Sequence, residues 1–397
     1  MGEKLLRFPA VLLSRVLSDP QPLLSMSRRS SLFSLSALTR AYQRNLKALT
    51  RATRPARKKA AKTVKSALKA VKPVQPAKAV PRAAPRKPAG ARAPRKPLAP
   101  QGDWIAGVAT GPAGMRRFHL YVPAGLALRS GEKLPLMVML HGCDQTGEEL
   151  AHSSRMNRLA ARQRFLVLYP EQDRMTHPGG CWSWYGGRNG TAQAEAATLL
   201  AAVQQVARQH PVDLARVAVA GLSAGASMAA LMAARYPEHF CAVAMHSGVA
   251  PGAAVSVASA LSAMNGSRAG HLPLPHSSPA SSGTSAVPLP PLLVLHGDAD
   301  GIVSMRNAAA TAQLWAQALG AKASATVTQQ RGKRYPMRVT SFKRKGRTVV
   351  VLREIAGLRH AWSGGAPGQS YSDPAGPDAS ALVWAFVARA FKEIPAE

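Results

Sequence analysis

Cysteines, aromatic residues and long apolar runs are all scarce in this sequence of 397 residues. Its three cysteines, Cys143, Cys181 and Cys241, are too few for a small disulfide-rich scaffold, although they allow one bridge and one free thiol. No run of about 18 or more apolar residues occurs, so we expect no membrane-spanning helix. No cysteine or histidine pair has the spacing of zinc ligands, and we therefore expect no metal site.

Acidic residues are also few, and their shortage is greatest at one end of the chain. The sequence has 52 Lys and Arg against 19 Asp and Glu, which gives a formal net charge of +33. Residues 1–100 contain 24 of the basic residues and only two acids, so residues 101–397 are much less basic. This asymmetry indicates a basic tail attached to a folded domain.

The tail is least like a folded protein between residues 51 and 100, which are rich in Ala, Pro, Lys and Arg and contain no acidic or aromatic residue. This composition cannot bury enough apolar surface to offset the entropy of ordering, so we expect residues 1–100 to be largely disordered. The tail is either a solvated linker or a binding segment for a polyanion such as nucleic acid, anionic lipid or an acidic polymer. The absence of aromatic residues argues against base stacking.

Beyond residue 100 the sequence alternates between predicted strands and predicted helices. Strands are predicted at 118–122, 134–140, 165–169, 217–220, 242–247 and 292–295, with a hairpin of 338–342 and 348–355; helices are predicted at 149–163, 192–209, 308–319 and 380–391. Such alternation predicts an α/β domain over 101–397 in which helices cover both faces of a mostly parallel sheet. Residues 251–291, rich in Ser, Pro and Gly, are expected to form an insertion at the carboxyl edge of the sheet, either an active-site cover or a surface loop.

The segment 216–236 carries the strongest functional signal. Its sequence, RVAVAGLSAGASMAALMAARY, predicts a short apolar strand, then Gly-Leu-Ser-Ala-Gly, then a helix. A serine at the apex of a tight strand-to-helix turn, with a glycine two residues to either side, is typical of a catalytic nucleophile. We therefore predict that Ser223 is a nucleophile; the alternative is an ordinary Gly/Ser turn.

A serine nucleophile needs a base and an acid that orients the base, and both follow the serine along the chain in an α/β-hydrolase. Only one histidine, His360, lies beyond residue 300. Of the four carboxylates between Ser223 and His360, only Asp298 and Asp300 lie in a loop directly after a predicted strand. We predict Asp300 as the acid because it lies further into the loop, and Asp298 remains the alternative.

The tetrahedral intermediate of acyl transfer requires two backbone N–H groups that point at its oxyanion. We predict that Ala224, next to the nucleophile, supplies one of them. The loop after the predicted strand 134–140 should supply the other, at Cys143, because His141 and Gly142 permit close approach of the backbone there.

Taken together, these motifs resemble those of the esterase family of the polyhydroxybutyrate depolymerases, which includes related feruloyl and acetylxylan esterases. The matching segments are LHGCDQT (140–146), GCWSWY (180–185), VDLARVAVAGLSAGASMA (212–229), HGDADGIV (296–303), GLRHAWSGG (357–365) and GPDAS (376–380). The resemblance implies an α/β-hydrolase fold and a serine carboxylesterase without metal or cofactor, with Ser223, Asp300 and His360 as its triad. It implies hydrolysis of polyhydroxyalkanoates or their oligomers; a feruloyl or acetylxylan ester is the alternative substrate.

The same resemblance implies a disulfide between Cys143 and Cys181, which would join the oxyanion loop to a tryptophan-rich loop and leave Cys241 as a buried thiol. A reducing compartment would instead leave both cysteines unpaired. Four aromatic side chains are expected near the mouth of the site: Trp182, Trp184, Tyr185 and Trp362. They would either form an apolar wall for the substrate or pack around the loop.

Two further expectations concern location and partners. The resemblance implies an extracellular or extracytoplasmic protein, whereas the apolar segment 5–17 is interrupted by Arg7 and Arg15 and makes a poor export signal, so the cytoplasm is the alternative. A protein of another class, which binds a polyanion or a granule surface through its tail while its hydrolase domain is idle, is the rival interpretation. The complete set of predicted catalytic positions argues against an idle domain.

Overall fold

A computed structural model describes residues 102–175, 177–273 and 287–393. The tail predicted for residues 1–100 and part of the 251–291 insertion lie outside these residues. The main sheet has eleven strands: β1 (Asp103–Gly111), β2 (Gly114–Val122), β3 (Leu134–Leu140), β4 (Leu166–Pro170), β5 (Val212–Leu222), β6 (Ala242–His246), β7 (Leu292–Gly297), β8 (Lys322–Ala323), β9 (Val327–Gln329), β10 (Met337–Arg344) and β11 (Arg347–Ile355). Two short strands, β12 (Trp362–Ser363) and β13 (Ser372–Asp373), pair separately.

The strand order brings the segments of the predicted site to one edge of the sheet. The order is β1-β2-β4-β3-β5-β6-β7-β11-β10-β8, with β9 also paired to β10. Strands β4, β3, β5, β6, β7 and β11 are mutually parallel, and the strands on either side of them are antiparallel. The carboxyl ends of the parallel strands therefore lie at a common edge, where ligands bind in open α/β sheets.

Seven α-helices in the described part of the chain cover the two faces of the sheet. They are α1 (Gly147–Ser154), α2 (Met156–Gln163), α3 (Thr191–Gln209), α4 (Ala224–Arg235), α5 (Val257–Met264), α6 (Arg306–Ala318) and α7 (Ala379–Lys392). Buried residues of α3, α4 and α6 belong to one apolar core, and those of α1, α2 and α7 belong to the other. Helices on both faces of a largely parallel sheet confirm the predicted α/β fold.

Alternation along β3 shows why the central strands need apolar side chains on both faces. Leu136, Val138 and Leu140 enter the core with α3 and α4, whereas Met137 and Met139 enter the core with α1 and α7. All five side chains are at most 1% exposed. Burial of each contributes about 1.5–3 kcal/mol of favourable transfer free energy, which is why the strand reads as one continuous apolar run.

The structure corrects one predicted element and adds two elements that were not predicted. The helix predicted at 149–163 is two helices, because Arg155 has a left-handed backbone with φ 58° between α1 and α2. Strand β1 was not predicted, because most of its residues are exposed and it lacks an apolar run. The insertion contains a described helix, α5, whose amino end is capped by the Ser256 side chain.

Candidate active site

Ser223 lies at the turn between β5 and α4, with φ 57° and ψ −120°. This backbone conformation is uncommon for a residue with a side chain and is held only where surrounding structure enforces it. A Cβ on Gly225 would lie 2.2 Å from the Leu140 carbonyl oxygen, and one on Gly221 would lie 2.4 Å from the Gly225 backbone. Both flanking glycines of the motif are therefore required by close backbone contact, and the turn packs against the end of β3.

Asp300 and His360 form a hydrogen-bonded pair at the same edge of the sheet. His360 Nδ1 is 2.8 Å from Asp300 Oδ2, and the two side chains are 9% and 0% exposed. Asp298 does not contact His360; its Oδ1 accepts the Gly357 N–H at 2.7 Å and so anchors the start of the histidine loop. The structure thus brings Asp300, rather than Asp298, to the imidazole.

The Asp300 carboxylate is held by four contacts. Oδ1 accepts the N–H groups of Ile302 and Val303, each at 2.9 Å. Oδ2 faces His360 and also His296 Nε2, which lies 3.3 Å away. Burial alone would raise the pKa of Asp300, but the hydrogen bonds from His296 and His360 outweigh it and hold that pKa well below its usual range. The carboxylate is therefore charged at neutral pH.

Ser223 and His360 lie at the same sheet edge, but among the described residues the Ser223 hydroxyl makes no hydrogen bond to the imidazole. His246, at the end of β6, connects their segments. Its carbonyl oxygen accepts the Ser223 N–H at 2.8 Å, and its Nε2 accepts the Ser363 N–H at 3.2 Å. Burial lowers the pKa of His246 to about 3, so this linking ring is neutral.

The backbone N–H groups of Cys143 and Ala224 have no acceptor within the described part of the chain. The N–H groups on either side of Cys143 are occupied: that of Gly142 donates to Gln145 Oε1 at 3.1 Å, and that of Asp144 donates to the Gly179 carbonyl at 2.7 Å. A Cβ on Gly142 would lie 3.5 Å from Ser223 Cβ, so the loop after β3 is close to the serine. This arrangement suits an oxyanion hole.

A disulfide joins Cys143 to Cys181. It connects the loop after β3 to the tryptophan-rich loop, and the indole N–H of Trp182 donates to the His141 carbonyl at 2.8 Å in the same region. Cys241 is a free thiol whose Sγ donates to the Val217 carbonyl, and burial raises its pKa to about 12. The oxyanion loop is thus attached covalently to its neighbour.

The expectation of a four-residue aromatic wall is wrong for Trp182 and Trp362. Trp182 is 0% exposed beneath His141, and Trp362 is 1% exposed, with its indole N–H on Ser380 Oγ. Trp184 is also buried and packs edge-on against Tyr185. The buried indole rings stabilise the loops by packing. Of the four side chains only Tyr185 is partly exposed, so only Tyr185 remains available to a substrate.

A buried polar network behind the tryptophan-rich loop was not found by sequence analysis. Glu195 Oε1 lies 3.0 Å from Arg116 Nη2 and 2.6 Å from Gln172 Nε2, while its Oε2 accepts the Ser183 N–H at 2.5 Å. Arg116 and Glu195 are 3% and 2% exposed. The only sequence signal was a glutamate among alanines on the apolar face of α3, which indicates that a partner must be buried with it.

The described residues contain no group of three or more His, Cys, Asp or Glu side chains placed to hold a metal ion. Among the same residues, no helix has both the length and the apolar character needed to cross a bilayer.

Comparison with known proteins gives a family match over more than half of the chain. The family model described as Esterase PHB depolymerase matches residues 116–334. Poly(3-hydroxyalkanoate) depolymerase C of Paucimonas lemoignei is 29% identical over 265 residues, which are 64% of this chain and 60% of that protein. Probable acetylxylan esterase A of Aspergillus clavatus is 29% identical over 216 residues, 51% of this chain and 66% of that protein.

A solved structure supports the fold. The acetyl xylan esterase from Aspergillus awamori aligns with a TM-score of 0.53 and 23% identity, over 65% of this chain and 94% of that one. The matched part of the chain spans less than two thirds of the length of each of the two relatives above.

Proposed function

Because this chain belongs to the Esterase PHB depolymerase family, we propose that it is a serine carboxylesterase that acts through an acyl-enzyme. The observation that carries the proposal is the buried His360–Asp300 pair, 2.8 Å between Nδ1 and Oδ2, at the sheet edge that also bears Ser223. A charged carboxylate orients the ring and stabilises the imidazolium that forms when the ring takes a proton. Ser223 then has the base that a hydroxyl nucleophile needs.

In the proposed reaction, Ser223 Oγ attacks the ester carbonyl carbon while His360 Nε2 takes the hydroxyl proton. The N–H groups of Cys143 and Ala224 stabilise the oxyanion. The intermediate collapses, the alcohol leaves with the proton from His360, and Ser223 is acylated. Water then attacks the acyl-enzyme while His360 takes its proton, and collapse of this second intermediate releases the acid as His360 returns the proton to Ser223 Oγ. The cycle requires a hydrogen bond between Ser223 and His360 that substrate binding has to form, as is common for catalytic pairs.

The substrate class we propose is a polyhydroxyalkanoate or its oligomers. The similarity to a protein named poly(3-hydroxyalkanoate) depolymerase C supports it. The similarity to proteins named acetylxylan esterase supports the alternative, an acetyl or feruloyl ester of a plant-wall polysaccharide. A panel of hydroxybutyrate oligomers, acetylated xylan, methyl ferulate and short p-nitrophenyl esters separates them, because the cognate class should have the highest kcat/KM.

Replacing Ser223 with Ala tests the chemistry directly. We expect hydrolysis of p-nitrophenyl butyrate to fall by about 10⁶ in kcat, as when a triad nucleophile is removed from other hydrolases. Ser130→Ala is the matched control, because Ser130 is exposed in the loop before β3, at the opposite end of the parallel strands. Equal activity of Ser223→Ala and the parent would refute the proposal.

We also propose that residues 1–100 bind a polyanion, which their 24 basic and two acidic residues support. The full chain should be retained on heparin at low salt and released as salt rises, and a chain lacking residues 1–100 should be released earlier with its esterase activity intact. Limited proteolysis that stops near residue 101 would support the proposed boundary of the 101–397 domain. Equal retention of both chains would contradict polyanion binding by the tail.

An extracytoplasmic location is a further proposal, and the Cys143–Cys181 bridge supports it because such bridges persist in oxidising compartments. The test is to isolate the protein from its own cells, unfold it without a reducing agent, alkylate its free cysteines and count the alkylated cysteines by mass spectrometry. Two protected cysteines and one alkylated cysteine are expected after unfolding; three alkylated cysteines would favour the cytoplasmic alternative.

A further inference from the structure

His296 is a fully buried histidine that the reaction described above does not use. It lies on β7, four residues before Asp300, and its side chain is 0% exposed. Its Nε2 lies 2.9 Å from the Val303 carbonyl oxygen and 3.3 Å from Asp300 Oδ2. Its Nδ1 has no hydrogen-bond partner among the described residues. Nε2 of the ring therefore faces the loop that carries the acid.

The contacts of the two ring nitrogens determine where the proton is. A carbonyl oxygen is only an acceptor, so Nε2 must carry a hydrogen to contact Val303. The same nitrogen lies 3.3 Å from Asp300 Oδ2, so its N–H is attracted to that carboxylate oxygen as well. Nδ1, which has no acceptor nearby, need not carry a hydrogen. A neutral His296 protonated at Nε2 satisfies the arrangement without placing a second positive charge beside His360.

Asp300 Oδ2 consequently lies close to two imidazole nitrogens, 2.8 Å from Nδ1 of the proposed base and 3.3 Å from Nε2 of a ring that touches no reacting atom. Oδ1 is already occupied by the N–H groups of Ile302 and Val303. The direction of Oδ2, and the share of its negative charge that His360 experiences, therefore depend on His296.

We propose that His296 is a positioning residue for the esterase: it holds Asp300 Oδ2 toward His360 and competes with His360 for the charge of that oxygen. The proposal rests on the proposed serine esterase function. Without the competing donor, Oδ2 interacts more strongly with His360 and favours its imidazolium form. A base that is protonated at higher pH accepts the Ser223 proton only at higher pH, so the acid limb of the pH profile moves upward.

The histidines around Asp300 come from three elements. Strand β7 contributes His296, the loop after β11 contributes His360, and β6 contributes His246, which is close enough for its charge state to interact with all three of the other groups. His246 uses its ring nitrogens on Ser247 and Ser363 rather than on Asp300. Replacement of His296 therefore changes the donors on Asp300 without removing the link from β6 to the histidine loop.

The test compares His296→Phe, which keeps a flat ring but has no donor, with His296→Gln, whose side-chain amide can place an N–H near the position of Nε2. We expect His296→Phe to lower kcat on p-nitrophenyl butyrate by about 10- to 100-fold, the size of one hydrogen bond to a charged group. Its KM should change little, and the acid limb of kcat/KM should move up by at least about half a pH unit. His296→Gln should recover most of the parental kcat, and the acid limb of its kcat/KM profile should lie at the parental pH.

A second measurement does not depend on activity. The ring signals of His360, followed by NMR against pH in the parent and in His296→Phe, should titrate at higher pH in the variant. If His296→Phe does not fold, His296→Asn replaces it, because its shorter amide cannot reach Asp300 Oδ2. An unchanged pH limb together with an unchanged His360 titration overturns the proposal. A shifted His360 titration in a chain whose Ser223→Ala variant is fully active would refute the proposed acyl-enzyme on Ser223 alone.

Discussion

Gly225 is the residue at which the serine turn meets the end of strand β3. A Cβ at this position would lie 2.2 Å from the Leu140 carbonyl oxygen and 2.5 Å from that of His141. Both contacts are with backbone, which cannot move aside as a side chain does. The loop that bears Cys143 begins at this point, so a displacement at Gly225 reaches both Ser223 and the proposed N–H donors.

We predict that Gly225→Ala lowers kcat/KM by at least about 100-fold, because a displacement of about 1 Å in a reacting group has that effect. It should also lower the free energy of unfolding by about 1–3 kcal/mol through overpacking. Gly187→Ala is the control: Gly187 is exposed, and an added Cβ there would lie no closer than 3.8 Å to its nearest neighbour, Val255. Ester hydrolysis and urea unfolding measure both effects, and equal results for the two variants would contradict the steric argument.

At the scale of single residues, the sequence alone predicted the positions that a motif or an order along the chain defines. Ser223 follows from its turn, and His360 follows because no other histidine lies beyond residue 300. Asp300 was preferred to Asp298 because it lies further into the loop they share, and the structure places Asp300 against His360. His246 and His296 were not found, since their contacts with the triad arise from strand pairing rather than from any local pattern.

The pair of Arg116 and Glu195 joins three elements that only the folded chain brings together. Arg116 lies on β2, Glu195 lies on α3, and the Ser183 N–H of the tryptophan-rich loop completes the set. Burial lowers the pKa of Arg116, although the charge of Glu195 opposes this. The pair therefore determines where the loop bonded to Cys143 lies against the sheet.

We predict that Glu195→Ala lowers the free energy of unfolding by about 3–5 kcal/mol, because it leaves a buried guanidinium without its carboxylate. The control is Glu132→Ala, whose partner Arg164 is 45% exposed. That substitution should change stability by no more than about 1 kcal/mol. Urea unfolding of both variants decides the matter, and similar losses for the two would count against the buried network.

At the scale of elements, the central strands were predicted to within a few residues because they are buried on both faces and read as apolar runs. Strand β5 extends further toward its amino end than expected, since residues 212–216 mix polar and apolar side chains. The break at Arg155 was not predictable, because no glycine or proline marks it in the sequence. In the structure Arg155 has a left-handed backbone, and its guanidinium donates to the Gly364 carbonyl, a contact between segments far apart in the sequence.

The stability of the whole molecule should depend on pH through three buried groups. Burial lowers the pKa of His141 to about 4 and that of His246 to about 3, against 6.5 for an ordinary histidine. The unfolded chain therefore binds protons there that the folded chain does not, and stability falls as pH decreases below 6.5. Burial also raises the pKa of Glu171 from 4.5 to about 7, so the folded chain binds this proton more tightly and stability falls as pH rises from 4.5 to 7.

Between pH 4.5 and 6.5 the two histidines outweigh the one glutamate. These three groups alone predict that the free energy of unfolding rises with pH in this range by about 1.4 kcal/mol per unit, the effect of one net proton. Glu171→Gln should roughly double that slope, because it removes the opposing group, and should raise stability above pH 7. Urea unfolding at several pH values measures both, and an unchanged slope in Glu171→Gln would show that this carboxyl is not perturbed.

Basic residues cluster at the β10–β11 turn of the folded domain. In the strand register Lys343 lies opposite Lys322, and Arg344 lies opposite Arg347. Like charges directly opposite each other destabilise a sheet. Within the described residues only Arg347 of these four has an ion pair, with Glu393.

Strand β11 starts at this turn and ends just before the loop that bears His360. Nine extended residues separate the two by about 26 Å. An acidic surface that binds the β10–β11 turn would therefore leave the edge of the sheet that bears His360 open to solvent. One molecule could then bind the surface and carry out the proposed ester hydrolysis at the same time. Added salt would release the protein from such a surface without slowing that hydrolysis.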